Sequence, residues 1–262
     1  MTLPAPLPAK LAPSGAVPEG THVPADRSIQ WIQAGWQIFM SNPGMWVLVA
    51  LLLTLLLAIL PLLLPGIGSL VVLMLCPAFL AGLVLGCDAL KQRQELPLDC
   101  LFAGLRGHAG ALLQLGMFYL VAAAAVVFVG LMLALLPGVA GFNALNDQNW
   151  FGFGSGLFGS FLIGGMALYV PWVLLMMALW FAPALVVFRD QTPLNAMRAS
   201  VKACAHNIGA FTLLGLALYV CTWLALLPTL GLGFLVLVPV VAGTMYASFL
   251  DVFGSAPNTP LR

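Results

Sequence analysis

The chain has 262 residues, of which 62% are hydrophobic and 6% charged, and its mean hydropathy is +1.08. Water-soluble domains carry roughly 25% charged residues, so this composition excludes a soluble globular protein. The formal net charge of +1 is uninformative until the charges are placed along the chain. We expect no nucleic-acid partner. The composition predicts an all-α protein embedded in a membrane.

The first 25 residues are rich in proline and alanine and lack the apolar stretch of a signal peptide. Segments of this kind cannot bury enough apolar surface to fold. We therefore expect a disordered arm over residues 1–25, a membrane domain over 26–253 and a short tail over 254–262.

Six uncharged, mostly apolar stretches are each long enough to cross a hydrocarbon core of about 30 Å. They cover roughly residues 45–64, 67–87, 111–136, 166–187, 208–227 and 234–250. The second, fourth and sixth contain Pro77, Pro171 and Pro239, respectively. A proline inside a membrane helix frees a backbone carbonyl, so we predict these three positions as helix breaks.

The connection over residues 137–165 is the one sizeable outer loop predicted between spans. It contains the sequence WFGFGSGLFG, which begins at Trp150. Two interpretations remain open. The aromatic side chains anchor the loop at the outer headgroup level, or the glycines let it re-enter the bundle.

Three amphipathic segments precede the first, third and fifth spans. The first covers residues 28–40, the second opens at Leu96-Pro97, and the third opens at Pro193. In the third, the predicted apolar face consists of Leu194, Met197, Val201, Cys204 and Ile208. In the first, it consists of Ile29, Ile32, Trp36 and Phe39. We expect these helices to lie along the membrane surface.

The basic residues of two of these helices are the predicted lipid contacts. Arg106 lies in the second segment, and Arg198 and Lys202 lie in the third. Such side chains attract anionic lipid headgroups at the cytoplasmic surface. The expected partners are therefore membrane lipids, with a possible protein partner whose identity the sequence leaves open.

Each third of the chain contains an amphipathic helix, a span, an outer turn and a second span. Each second span contains a proline and ends near an aspartate, Asp88, Asp190 or Asp251. This order predicts a threefold internal repeat. The alternative is that any hydrophobic chain produces such matches by chance.

All nine basic residues fall on one predicted side of the membrane. They are Lys10, Arg27, Lys91, Arg93, Arg106, Arg189, Arg198, Lys202 and Arg262. Because basic residues are retained in the cytoplasm, both termini are predicted to be cytoplasmic. This topology requires an even number of spans, which six satisfies.

No combination of residues predicts catalysis, a cofactor or a metal. The five cysteines include no CxxC pair, and no span has an ionisable residue near its centre, as many proton pathways do. We predict interfacial roles for His108 and His206, and no catalytic, cofactor-binding or metal-binding residue. We therefore expect the protein not to be an enzyme.

The sequence from Trp180 to Val186, WFAPALV, is followed by Pro193, Ala196, Ser200 and Asn207. With these residues the chain resembles a family of uncharacterised proteobacterial multi-pass membrane proteins. It is also similar to the YciC-like group and to the membrane domain fused to some glycerophosphodiester phosphodiesterases. The resemblance covers about residues 27–253. It implies a six-span helical fold in a bacterial inner membrane, and it carries over no catalytic residue.

The leading functional hypothesis is a non-enzymatic integral membrane protein, an interaction or envelope-maintenance factor. The alternative is a transporter, or a protein that passes a small molecule or a lipid through a site among the proline-containing spans 2, 4 and 6. Proline-interrupted helices at matching positions often mark binding sites. A cavity among these three spans would favour the alternative, and a closed apolar bundle would favour the leading hypothesis.

Overall fold

The computed structural model describes residues 20–92, 99–146 and 149–254, and all regular structure within these ranges is α-helical. The helices are α1 (Arg27–Ser41), α2 (Pro43–Leu63), α3 (Ile67–Lys91), α4 (Cys100–Asn146), α5 (Trp150–Arg189), α6 (Pro193–His206), α7 (Ile208–Leu226) and α8 (Phe234–Phe253). Within the described ranges, the six helices other than α1 and α6 are long and apolar enough to cross a membrane. The prediction of an all-α, six-span membrane protein is confirmed.

Asparagine side chains begin two of the spans. The Asn42 side chain accepts a hydrogen bond from the Met45 backbone N–H, directly after α1 ends. The Asn149 side chain accepts one from the Gly152 backbone N–H at the start of α5. Each side chain satisfies a backbone donor that the first helical turn leaves without a partner. The chain therefore passes from α1 into α2 with a single non-helical residue between them.

The prediction of an outer loop over residues 137–165 is wrong. The helix α4 continues through Pro137 to Asn146, and α5 begins at Trp150. The interpretation of WFGFGSGLFG as a re-entrant loop is therefore also wrong, because this stretch is helical. Anchoring of its aromatic side chains in the outer headgroup region stays a prediction. Phe151, which is 86% exposed, is free to take that role.

Small residues explain why this region is helical. A Cβ atom on Gly156 would lie 2.7 Å from the backbone N of Gly141, and one on Gly164 would overlap Ala134. In α5 the small residues recur every four positions, as Gly152, Gly156, Ser160 and Gly164. This spacing lets membrane helices approach closely. Glycine, which weakens a helix in water, here joins two helices in a hairpin.

The three prolines predicted as helix breaks lie inside continuous helices. Pro77 lies within α3, Pro171 within α5 and Pro239 within α8. Each removes one backbone hydrogen bond, and the helix continues on both sides of it. Pro77 and Pro239 are buried among other helices, where neighbours can compensate for the loss.

The three units predicted from the sequence pack in the same way. In the first, Gly35 of α1 crosses α8 so closely that a Cβ atom would lie 2.6 Å from the Thr244 hydroxyl oxygen. In the second, the first part of α4, which ends at a kink at His108, crosses α3. There a Cβ atom on Gly104 would lie 3.0 Å from the Ala78 carbonyl oxygen.

In the third unit, α6 crosses α5, where the Ser200 hydroxyl hydrogen-bonds to the backbone. Each short helix thus lies on the second span of the unit before it, and α1 closes the ring on α8. The three short helices also align without gaps over residues 28–37, 97–106 and 193–202, although residues 97 and 98 lie outside the described residues. Each of the three crossings includes a close contact at the aligned positions Gly35, Gly104 and Ser200. These contacts support the predicted threefold repeat.

The buried faces of α1 and α6 differ from the predicted ones. In α6, Leu194 is 43% exposed and Ile208, just beyond its end, 57% exposed. The buried residues of α6 are Pro193, Ala196, Ala199, Ser200, Ala203 and Cys204, and those of α1 are Ser28, Trp31, Gly35 and Phe39. Helix α6 turns its small residues inward, because these allow backbones to approach closely, whereas α1 buries Trp31 and Phe39 together with Ser28 and Gly35.

The packed part of the chain begins before the domain boundary predicted at residue 26. The Thr21 backbone N–H donates to the Val252 carbonyl over 2.9 Å, and Val23 is buried. We call this side of the bundle, where both ends of the described chain meet, the terminal end. The opposite side, with the turn from Leu227 to Gly233, is the turn end. Residues 1–19 of the predicted arm and 255–262 of the predicted tail lie outside the described residues, as do Lys10, Arg93 and Arg262.

Candidate functional site

Asp251 at the terminal end of α8 holds α1 in place. Its carboxylate accepts two hydrogen bonds from the Arg27 guanidinium, over 2.7 and 3.0 Å, and one of 2.7 Å from the Trp31 indole N–H. The hydrogen bond and the charge of Asp251 raise the pKa of Arg27 above its ordinary value. This bidentate pair fixes the orientation of α1 across α8.

The other two aspartates of the predicted repeat also connect two helices, Asp88 between different units and Asp190 within the second unit. Asp88 of α3 accepts a hydrogen bond from the Tyr246 hydroxyl of α8, and the Lys91 ammonium lies 5.7 Å from the centre of the Tyr246 ring. Asp190 lies 2.8 Å from Nε2 of His108, at the kink of α4. All three aspartates therefore have structural partners at the terminal end.

Ser200 connects α6 to the WFAP stretch of α5. Its hydroxyl accepts from the Phe181 backbone N–H over 3.0 Å and donates to the Met177 carbonyl. In a regular α-helix this N–H and this carbonyl would pair with each other, so the hydroxyl bridges one turn of α5. The thiol of Cys204 also lies 3.7 Å from the Met177 carbonyl oxygen. Burial raises the pKa of Cys204 to about 12, which keeps the thiol protonated and unreactive.

Asn207, between α6 and α7, holds the N-terminal segment. Its side-chain oxygen accepts from the Val23 backbone N–H over 2.7 Å. Its amide group donates to the Thr21 and Ala203 carbonyls, each over 3.0 Å. Sequence reasoning gave neither Ser200 nor Asn207 a role, although both belong to the residues that carry the family resemblance. The ungapped alignment of the short helices is the signal that could have singled out Ser200.

The predicted lipid contacts differ in whether a carboxylate pairs with them. Arg106 forms an ion pair with Asp99, the residue directly before the same helix. Arg198 and Lys202 are exposed on one face of α6, and among the described residues no carboxylate lies within ion-pairing distance of either. The structure therefore brings Arg198 and Lys202 together and places Arg106 apart from them.

A cavity of about 320 Å³ lies between α2, α3 and α8. It is lined by apolar side chains, including Leu57 of α2, Leu80 of α3 and Val241 of α8. The site was predicted among the second, fourth and sixth spans, which are α3, α5 and α8. Two of these three helices line the cavity, and α2 takes the place of α5.

A second, larger space of about 700 Å³ lies between α1, α7 and α8. Its lining is also mainly apolar, with polar groups from Gln33, Gln37 and Thr229. Over residues 20–92, 99–146 and 149–254, no three His, Cys, Asp or Glu side chains come together as a possible metal site. Both spaces are therefore lined mainly by apolar side chains.

Comparison with known proteins places the chain in a family. No family model matches the chain, and no solved structure matches it. The chain is 32% identical over 237 residues to a probable inner membrane protein of Burkholderia thailandensis. The match covers 86% of this chain and 82% of the relative. The closer resemblance to the YciC-like group stays a prediction. At this identity and coverage, the chain belongs to the same family as this probable inner membrane protein.

Proposed function

We propose that the protein is a non-enzymatic interaction or envelope-maintenance factor of the inner membrane, whose helix α6 contacts anionic lipid headgroups. The observation that carries the proposal is the pair Arg198 and Lys202. Both are exposed, and among the described residues neither has a carboxylate within ion-pairing distance. Asp88, Asp190 and Asp251 are engaged between helices, so they serve to hold the bundle together. These features favour a scaffold with a basic surface over an enzyme.

The test replaces both cations with glutamate and measures which lipids remain bound. Each basic residue near an anionic surface contributes about 1 kcal/mol. The Arg198→Glu/Lys202→Glu variant should therefore lose phosphatidylglycerol relative to phosphatidylcholine by more than about tenfold, as counted by native mass spectrometry from mixed nanodiscs. Arg106→Glu is the matched control, with a smaller expected effect because Arg106 already pairs with Asp99. Unchanged lipid selectivity in the double variant would refute the role of α6.

The orientation of the chain is part of the proposal, with both termini in the cytoplasm. It is supported by the hydrogen bond between Thr21 and Val252, which brings the two ends of the described chain to one side. Arg27 and Arg189 lie at that same side. Reporter fusions after Gly66, Asn146 and Thr229 should report a periplasmic position, and fusions after Gln94, Asn195 and the C-terminus a cytoplasmic one. A cytoplasmic signal at Asn146 would contradict the six-span topology.

A second candidate function is passage of a lipid or another apolar molecule through the bundle. The apolar cavity between α2, α3 and α8 favours it. Pro77 and Pro239 lie next to the cavity-lining residues Cys76 and Val238, whereas Pro171 belongs to α5, which does not line the cavity. If the prolines shape a passage, Pro77→Ala and Pro239→Ala should reduce co-purified lipid and Pro171→Ala should not. Equal lipid content in all three variants would leave the prolines a packing role alone.

A further inference from the structure

The space between α1, α7 and α8 is a groove that opens into the bilayer. It extends from Gln33 and Gln37 of α1, past Val236 and Val240 of α8, to Thr229 at the turn end. Because α8 is a span just long enough to cross the hydrocarbon core, the groove lies at the depth of the acyl chains. An apolar space at that depth is filled by lipid chains or by a bound apolar molecule.

The groove exists because α7 stands apart from its neighbours. Two residues of α7, Ala210 and Leu214, are buried, and a Cβ atom on Gly215 would meet no described atom within 4 Å. The close approach between α7 and α8 occurs at the turn, where a Cβ atom on Gly233 would lie 2.9 Å from that of Ala225. The helices diverge from this point, and the groove fills the angle between them.

Two amides on α1 give the groove a polar end. Gln33 and Gln37 lie one helical turn apart and both line the groove. Among the described residues, neither side chain has a hydrogen-bond partner, whereas the Thr229 hydroxyl donates to the Ala225 carbonyl and accepts from the Gly233 N–H. Both side chains are exposed in the described structure, and an amide that faces apolar surroundings without a partner is costly. A ligand of this groove therefore gains by offering hydrogen-bonding groups next to an apolar chain.

Comparison with the third unit shows how the pair Gln33 and Gln37 differs from its aligned counterparts. In the ungapped alignment, Gln33 and Gln37 correspond to Arg198 and Lys202 of α6. The third unit thus has two cations where the first has two neutral amides. Neutral amides suit the ester carbonyls of a glycerolipid, which accept hydrogen bonds, better than they suit a phosphate, which arginine and lysine bind.

We propose that this groove binds one membrane glycerolipid, with an acyl chain between α7 and α8 and its ester groups hydrogen-bonded to Gln33 and Gln37. The proposal goes beyond the basic surface of α6, because it needs neither a cation nor an anionic headgroup. It concerns a different helix and a different part of the lipid.

The probe is a zwitterionic lipid, dioleoyl phosphatidylethanolamine, added to the detergent-purified full-length protein and counted by native mass spectrometry. The unmodified protein should retain one tightly bound lipid per chain. Cys221→Trp, which fills the groove, should abolish that retention. The Gln33→Leu/Gln37→Leu variant loses two hydrogen bonds, and its affinity should fall about thirtyfold, which corresponds to about 2 kcal/mol in total. Leu216→Trp is the matched control on the exposed surface of α7 and should retain the lipid.

A second measurement needs no variant. Of the five cysteines, all within the described ranges, Cys221 is the exposed one, and it lines the groove. Added phosphatidylethanolamine should slow its modification by N-ethylmaleimide in the unmodified protein, and should slow it less in the double glutamine variant. The proposal is overturned if Cys221→Trp retains the lipid, if Leu216→Trp loses it equally, or if the double variant binds with unchanged affinity. Loss of phosphatidylglycerol selectivity in the α6 variant with phosphatidylethanolamine binding intact would separate the two proposals.

Discussion

The hairpin of α4 and α5 and the hairpin of α7 and α8 contain similar apolar residues but pack differently. The 40 residues of α5 extend over about 60 Å and the 20 residues of α8 over about 30 Å. In the longer hairpin, glycines of one helix face small residues of the other. In the shorter hairpin, α7 approaches α8 at the turn and then diverges, which leaves the groove.

The difference shows what brings two membrane helices together. Lipid chains are as apolar as leucine, so apolar side chains alone do not drive helices into contact. Close approach comes from small residues on the facing sides. Gly156 contacts the backbone of Gly141 in the longer hairpin, while Gly215 of α7 has no described neighbour within 4 Å. A groove remains where small residues of the two helices do not face each other.

The largest effect is expected from breaking the longer hairpin at its closest point. A leucine at Gly156 would press against the backbone N of Gly141, 2.7 Å from its Cβ atom, and against the Pro137 carbonyl. Backbone atoms cannot move aside easily, so Gly156→Leu should destabilise the protein by about 3 kcal/mol, the upper end of the usual overpacking cost. Thermal unfolding in detergent measures it.

The matched control is Gly154→Leu, two residues away, where a Cβ atom meets no described atom within 4 Å. This variant should unfold near the temperature of the unmodified protein. Equal destabilisation by both substitutions would mean that the Gly156–Gly141 contact does not hold the hairpin together.

An intermediate effect is expected at the turn of the shorter hairpin. The Thr229 hydroxyl accepts from the Gly233 N–H and donates to the Ala225 carbonyl, so it ties α7 to the start of α8. Thr229→Ala should cost about 1 kcal/mol and should speed hydrogen exchange at the Gly233 amide. The control is Thr212→Ala, whose hydroxyl donates within its own helix to the Ile208 carbonyl. If the control has the larger effect, the turn is not what holds α7 near α8.

The smallest effect is expected from alanine substitutions of glycine, which should change the stability in opposite directions in the two hairpins. Alanine at Gly215 adds a methyl group where no described atom is close and improves helix propensity, a gain of up to about 1 kcal/mol. Alanine at Gly141 would place its Cβ atom 3.0 Å from the Cα of Gly156, which is too close for an unchanged backbone. The midpoint of thermal unfolding should therefore rise slightly for Gly215→Ala and fall for Gly141→Ala. A fall for both would show that the space beside α7 is filled.

Much of the fold could be predicted because charge is so unevenly distributed. Spans of about 20 uncharged apolar residues identify membrane helices, and the aspartates marked the ends of three of them. The helical region around Gly156 could not be predicted, because glycine and proline end helices in water and only a facing helix reverses that preference. The inward positions of Gly35 and Ser200 were missed for the same reason, since both residues count as neutral in a hydrophobic pattern, whereas the predicted Phe39 and Cys204 are buried.

The candidate sites could be predicted less well than the fold, because they depend more on contacts between residues that are far apart in the sequence. The polar face of Gln33 and Gln37 is visible in the sequence, but the groove beneath it depends on where α7 and α8 lie. The role of Ser200 depends on the carbonyl of Met177, on another helix. By contrast, Arg198 and Lys202 could be predicted as a basic face. Both side chains are exposed, so their spacing along one helix is enough to place them side by side.

The contact between Trp31 and Asp251 has a consequence for how the chain is made. The two residues are 220 positions apart, and at about 5–20 residues per second tens of seconds of synthesis separate them. Until the last span is inserted, Arg27 has no counter-ion on α8 and Gly35 has no helix to cross. The first helix of a growing chain therefore lacks its main partner while the middle of the protein assembles. A chain truncated before α8 would leave this helix exposed, which would let quality-control proteases distinguish it from a finished one.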